Sequence, residues 1–185
     1  MRKPGKDAPR FGRADIGPGE PDVDPGQPGL IIRSYRPEDK PGVVKIIKSV
    51  YDDFRYIMDF KAFDADLADI QSTYQDAGGE FWVLDDRGAV AGCVGVVPKE
   101  GDTCELKRLY LGKAYRRKGW GTRLLQTAKG WAMAKGFRRM TLWSDVLFEP
   151  AHRLYIKSGF KAAGKTRAID PNNPTSVERF FEMDL

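Results

Sequence analysis

Histidine is almost absent from this 185-residue chain: His152 stands alone. One histidine excludes a multi-histidine metal centre and argues against a Ser-His-Asp triad. Cysteine is scarce as well. Cys93 and Cys104 sit singly in apolar, strand-like runs, show no zinc-ligand spacing, and read as small core residues of a reducing compartment. No apolar run approaches the ~20 residues that span a bilayer. The first residues lack the apolar core of a signal peptide. A soluble cytoplasmic protein that does not engage membranes is expected. Acid is in mild deficit: 26 Asp and Glu against 31 Lys and Arg leave a net charge of +5. Long-range attraction therefore favours anionic partners, and much of the excess lies in residues 107–123.

Residues 1–29 are rich in Pro, Gly and charge, with too little apolar surface to offset chain entropy, and read as a flexible tail. Residues 30–185 are long enough for one domain. A β run over 30–35 leads to a helix opened by Pro37, with Val43, Ile46, Ile47, Val50 and Phe54 at helical spacing. Asp64 is placed to cap a second helix with Leu67, Ile70 and Tyr74 inward, ended by Gly78 and Gly79. Three strands follow over 81–84, 90–97 and 104–111, with turns at Asp86-Arg87-Gly88 and Gly101-Asp102. A helix over 119–135 stops at Gly136. A strand over 140–143, a helix over 150–157 and a closing hairpin of 160–166 with 177–184 complete a mixed α/β sheet flanked by helices.

The most informative stretch runs from Glu105 through Leu109, Tyr110 and Leu111 to Arg116-Arg117-Lys118-Gly119-Trp120-Gly121. It reads as strand, basic glycine turn and helix start. A helix N-terminus presents unpaired N–H groups and the positive end of the macrodipole, and glycine lets backbone close on a bulky anion. The pattern is a pyrophosphate cradle. It is no P-loop, because Gly-Lys-Ser/Thr is missing. It is no dinucleotide fingerprint either, because Leu124 stands where a third glycine is required.

Arg116-x-x-Gly119-x-Gly121 resembles the acetyl-coenzyme A motif of the GNAT superfamily of N-acetyltransferases. Ala151-x-x-Leu154-Tyr155-x-x-x-Gly159-Phe160 resembles its second signature, in the family's order and near its spacing. The resemblance covers residues 30–185. It implies the GNAT fold, with a bulge near Leu109 splaying the fourth strand from the fifth into a V for the pantetheine arm. It implies acetyl-coenzyme A as co-substrate and direct transfer to an amine in a ternary complex. The main-chain N–H groups of Leu109 and Leu111 would face the thioester. The amides of Arg117, Lys118, Gly119, Trp120, Gly121 and Thr122 would hold the pyrophosphate, with the side chains of Arg116, Arg117 and Lys118 adding charge. Tyr155 matches the family's general acid, and Glu105 the place where some members carry a general base. Homodimers are common in the resembled family.

The chemistry fits these side chains. The amine must lose a proton, the developing oxyanion needs a donor, and a neutral phenol can donate to a departing thiolate. Strict alternation puts Glu105, Lys107, Leu109 and Leu111 on one face of the strand, and Leu106, Arg108 and Tyr110 on the other. Tyr155 also suits a half-buried packing role, and Glu105 an ion pair with Lys107 or an arginine. Phe148 departs from the family, standing where many members have an asparagine; Ser144 or Asp145 would have to substitute. His152 reads as a surface or satisfied histidine. Tyr51, Asp52, Asp53, Arg55, Tyr56, Asp59, Phe60, Arg167, Asp170, Asn172 and Asn173 fall where the family's acceptor binds. Aromatics beside carboxylates suit a cationic small-molecule or peptide amine with an apolar portion. Two rivals remain: a non-catalytic acyl-coenzyme A sensor on the same fold, and a nucleic-acid-binding domain using the basic stretch. The second is disfavoured by the lack of a nucleic-acid motif.

Overall fold

A computed structural model describes residues 22–23, 29–169 and 176–185. The tail expected over 1–29 therefore lies outside the described residues, except Gly29 and a two-residue strand, β1 (Asp22–Val23), which pairs antiparallel with β2 (Leu30–Ser34). Asp170, Asn172 and Asn173 also lie outside. Helix α1 (Lys40–Phe54) precedes a meander of β3 (Glu80–Asp86), β4 (Ala89–Pro98) and β5 (Thr103–Leu111). Helix α2 (Trp120–Ala134), β6 (Arg139–Asp145), α3 (Glu149–Lys157), β7 (Lys161–Ala168) and β8 (Val177–Asp184) follow. The strands form one sheet in the order β1-β2-β3-β4-β5-β6-β8-β7. Among the described residues only the β5–β6 pair is parallel; the connection through α2 makes it so. Among the described residues, no helix is long and apolar enough to cross a membrane.

The sheet divides the core in two. On one face α1 buries Val43 and Ile47 against Leu67, Tyr74, Phe81 and Cys93. On the other, α2 buries Leu124, Leu125, Ala128 and Ala132 against Cys104, Leu106, Met140 and Leu142. Both cysteines are therefore buried core residues, and burial pushes each thiol up to about 12. Gly136 (φ 86°) stops α2, with Phe137 N–H bonded to Ala132 O and Gly136 N–H to Met133 O.

The second helix does not form as expected. Residues 64–76 hold a 3-10 turn (Ala65–Leu67) and a π-helical turn (Gln71–Gln75), although Leu67, Ile70 and Tyr74 are buried as the spacing predicted. Asp64 makes no capping bond. Its carboxylate accepts from Tyr51 Oη (2.9 Å), Asp59 N–H (2.8 Å) and Arg108 Nη1 (2.8 Å). A long-range ion pair has taken the group that a local cap required.

The β5 strand decides the site. Cys93 faces Tyr110 and Gly95 faces Lys107, so β5 carries one residue more than β4 between these pairs. Arg108 absorbs it with a left-handed φ of 57°. Beyond Glu105↔Thr141 the β5–β6 pairing ends, while β6 stays paired with β8 to Asp145↔Glu178. The two strands diverge into a V with Glu105 at its apex. The bulge also overturns strict alternation. Cys104, Leu106, Leu109 and Leu111 all pack on the α2 side, whereas Arg108 and Tyr110 lie with Glu105 and Lys107 on the α1 side. Glu105 and Leu109 thus occupy opposite faces, because the extra residue flips the parity of every residue after it.

Candidate active site

The turn before α2 has the geometry of an anion cradle. Arg117 (φ 60°) and Gly119 (φ 87°) are both left-handed, which curls the chain so that successive amides converge. The first bond of α2 runs from Arg123 N–H to Gly119 O (3.1 Å). Among the described residues, no main-chain hydrogen bond uses the amides of residues 117–122. Trp120 contributes only its amide here, since its indole is wholly buried in the core. A Cβ added to Gly121 would lie 3.4 Å from Leu111 Cδ1 and Leu154 Cδ2, an ordinary contact. Arg117, Lys118 and Thr122 are exposed. Arg116 is half-buried and donates from Nε to Leu111 O (3.0 Å). Gly112 N–H bonds to Ala91 O on β4 (2.9 Å), so alternation turns the amides of Leu111 and Leu109 the other way, into the V.

A cavity of about 560 Å³ opens at the V, lined among others by Glu105, Tyr110, Ser144, Phe148 and Tyr155. The structure thus brings Glu105 and Tyr155 to one space from distant parts of the chain. Tyr155 is 6% exposed, and burial, with Tyr110 nearby, holds its phenol protonated far above neutral pH. Its hydroxyl makes no hydrogen bond among the described residues. Glu105 is buried and pairs with Lys99 Nζ at 2.7 Å rather than with Lys107. If Glu105 takes the amine proton, Glu105→Gln lowers kcat/KM about 100-fold and alters its pH profile; an unchanged profile removes the role.

His152 is not at the surface. It is 7% exposed, its ring 5.0 Å from Phe181 and its Nε2 without a hydrogen-bond partner among the described residues. Burial lowers its proton affinity, and it does not line the cavity. The α3 face that packs on the sheet includes it. Of the expected acceptor residues, Tyr51, Arg55, Tyr56, Asp59 and Arg167 line the cavity. Asp52 and Asp53 pair instead with Lys48 (2.7 Å) and Lys113 (2.6 Å). Phe60 is not in the lining. Phe148 joins a wall of rings, 4.9 Å from Phe54, 6.5 Å from Tyr56 and 6.4 Å from Tyr110.

Sequence reasoning missed Arg108. Its side chain is 8% exposed and donates to Asp66 Oδ2 (2.9 Å), Asp64 Oδ1 (2.8 Å), Tyr51 Oη (3.1 Å) and Phe63 O (2.9 Å). It ties the bulge to the loop that roofs the cavity. The one signal was a charge that strict alternation sets on one face with Leu106 and Tyr110, a place where an arginine needs a partner.

Residues 45–160 match the family model described as Acetyltransferase (GNAT) family. The uncharacterized N-acetyltransferase YjgM of Escherichia coli K12 is 29% identical over 149 residues, covering 76% of this chain and 89% of its own length. The crystal structure of a GNAT acetyltransferase from Staphylococcus aureus Mu50 aligns with a TM-score of 0.74 at 22% identity, covering 84% of this chain and 99% of that one. A phosphinothricin acetyltransferase from Sinorhizobium meliloti, solved in complex with AcCoA, aligns with a TM-score of 0.69 at 22% identity, over 85% and 89%. The chain spans about half the length of the vertebrate N-acetyltransferases it matches. A free-amide cradle, a V opened by a bulge, and a family match across residues 45–160 lead to one conclusion: the chain belongs to the GNAT acetyltransferase family.

Proposed function

We propose that the protein transfers an acetyl group from acetyl-coenzyme A to a primary amine by direct attack in a ternary complex. The observation that carries this reading is the row of unbonded amides at residues 117–122, opening beside a V with Glu105 and Tyr155 in the same cavity. Those amides suit a pyrophosphate, and the exposed Arg117 and Lys118 add charge beside them. The Sinorhizobium meliloti neighbour, solved with AcCoA, supports the same cofactor. Bound acetyl-coenzyme A supplies the activated acyl group.

Each remaining role belongs to a group of this chain. The amides of Leu109 and Leu111 point into the V, where they can donate to a developing oxyanion. Glu105 accepts the amine proton, directly or through water. Tyr155, kept neutral by burial, donates toward the departing sulfur. No covalent route competes: Cys104 is buried on the opposite face from Glu105, and both thiols are held protonated.

Calorimetry with acetyl-coenzyme A tests this reading. Micromolar binding is expected. Gly121→Glu should weaken it by about 100-fold or more by setting a carboxylate among the anion-binding amides. The Cβ has room, so the variant should stay folded. No binding by the intact protein overturns the reading. Binding without turnover of any amine leaves the sensor alternative.

A further inference from the structure

The cavity's charges do not cancel, and the excess is acidic. One guanidinium cannot balance two carboxylates, so Arg108 and Lys107 together neutralise Asp64 and Asp66. Glu105 is paired with Lys99 and Glu178 with Arg167, each at 2.7 Å. Asp145 and Asp59 remain. Asp145 accepts from Tyr56 Oη (2.7 Å) and Leu147 N–H (2.8 Å). Asp59 accepts from the amides of Lys61 (2.8 Å) and Ala62 (3.2 Å). These donors are neutral, so both carboxylates keep their charge, and neither has an ion pair among the described residues. The lining cation left to set against the two is the exposed Arg55. Arg179, next to Glu178 on β8, does not line the cavity.

Asp145 is only 4% exposed, yet it lines the cavity. A carboxylate withdrawn from water without a cation is costly, and a cation brought to it relieves that cost. Its surroundings are aromatic. The Tyr56 ring, whose hydroxyl bonds to Asp145, lies 6.5 Å from Phe148, and Phe148 lies 6.4 Å from Tyr110. Rings beside a carboxylate favour an ammonium on an apolar stem. Ile57, 88% exposed, and Phe63, 46% exposed, line the same cavity and offer apolar surface to that stem.

An ammonium at Asp145 is not the amine beside Glu105. Glu105 stands opposite Thr141, and Asp145 lies four residues further along β6, so the two backbones are roughly 13 Å apart along the strand. Lys99 holds Glu105 toward the β4–β5 hairpin, away from Asp145. Tyr56 and Leu147 fix the Asp145 carboxylate at its own end. One nitrogen does not meet both.

We propose that the acceptor is an aliphatic diamine, one end acetylated beside Glu105 while the other, still protonated, pairs with Asp145 against the rings of Tyr56 and Phe148. At the reacting end the C–N bond forms as the C–S bond to coenzyme A breaks; the amine proton goes to Glu105, and the sulfur takes one from Tyr155. That nitrogen becomes a neutral amide, so only a second cation still balances Asp145 after transfer. With each nitrogen ~2.8 Å from a carboxylate oxygen, roughly 7–9 Å remains between them, a span that about six methylenes fill. Asp59 adds negative potential to the same space. The assignment rests on the acetyltransferase reading and narrows it to one acceptor class.

The test measures thiol release from acetyl-coenzyme A with three acceptors of matched length: hexamethylenediamine, n-heptylamine and ω-aminoheptanoate. The diamine should have the highest kcat/KM. Replacing its far ammonium by a methyl group, in heptylamine, should cost about tenfold or more, mainly in KM. A carboxylate at that end should cost more still, because it meets Asp145 as a like charge. Asp145→Asn should bring the ratio of kcat/KM for the diamine to that for heptylamine down to about 2, the statistical factor for two equivalent ends. A merely structural aspartate would lower both alike and keep the ratio. The three acceptors on the unaltered protein decide the matter even where the variant fails to fold. Heptylamine or aminoheptanoate turned over as fast as the diamine overturns the proposal and leaves the acetyltransferase intact. So does acetyl-coenzyme A binding with none of the three turned over. Absence of acetyl-coenzyme A binding removes the acetyltransferase reading and the acceptor assignment together.

Discussion

Tyr155→Phe is expected to lower kcat by about 100- to 1,000-fold while acetyl-coenzyme A binding stays within about twofold. The structure makes this variant unusually clean. The Tyr155 hydroxyl bonds to nothing among the described residues, so the fold loses no hydrogen bond with it. The ring contacts with Phe160 and Phe181, both at 5.8 Å, are kept by phenylalanine. Stability should therefore stay within about 0.5 kcal/mol of the parent. A packing role alone predicts no kinetic change, and the proton-donor role predicts a large one. Steady-state kinetics with a calorimetric titration of both proteins decides between them. Unchanged kcat removes Tyr155 from the chemistry.

Arg108→Met should be among the most destabilising single changes, costing about 3–5 kcal/mol at neutral pH. One guanidinium balances two buried carboxylates, Asp64 and Asp66, and its removal leaves them facing each other with only Lys107 near. For a chain of this length the midpoint of thermal unfolding should fall roughly 10 °C. The pH dependence follows from Asp66. Burial works to raise its proton affinity, but the Arg108 hydrogen bond and charge, with Lys107, outweigh burial and hold the carboxyl below its usual range. A lowered folded value gives stability that is complete above the unfolded value, near ~4, and lost as pH falls through the lower folded one. Without Arg108, burial acts unopposed and Asp66 gains its proton more readily. The gap between parent and variant should be widest at neutral pH and narrow toward acid. Thermal melts from pH 7 to pH 4 check this, and a constant gap would show that the pair is not the source of the loss. Arg108→Lys, which restores one charge but not the fork, should recover only part.

The features legible in the sequence share a property: their chemistry is local. The cradle is a run of consecutive amides with a glycine at a left-handed position, so Arg116 to Thr122 declare it within seven residues. The α3 signature does the same for Tyr155. The helix faces of α1 and α2 were readable because burial repeats with the helical period. The second helix was not. Its inward residues were correctly spaced, but its expected cap, Asp64, is used by an arginine 44 positions away.

The sequence by itself determined the family, the order of the strands and of three helices, and the glycine turn ahead of α2. Each is written in neighbouring residues and needs no partner elsewhere to be recognised. Tertiary structure alone decided the face of Glu105 relative to Leu109, the burial of His152 and the bulge-holding role of Arg108. The physical reason is common to all three. A bulge forms where two strands keep faith with different neighbours, and a charge is spent or free according to what the fold carries to within a few ångströms of it. Neither pairing nor proximity across 40 or more residues leaves a mark in the local pattern.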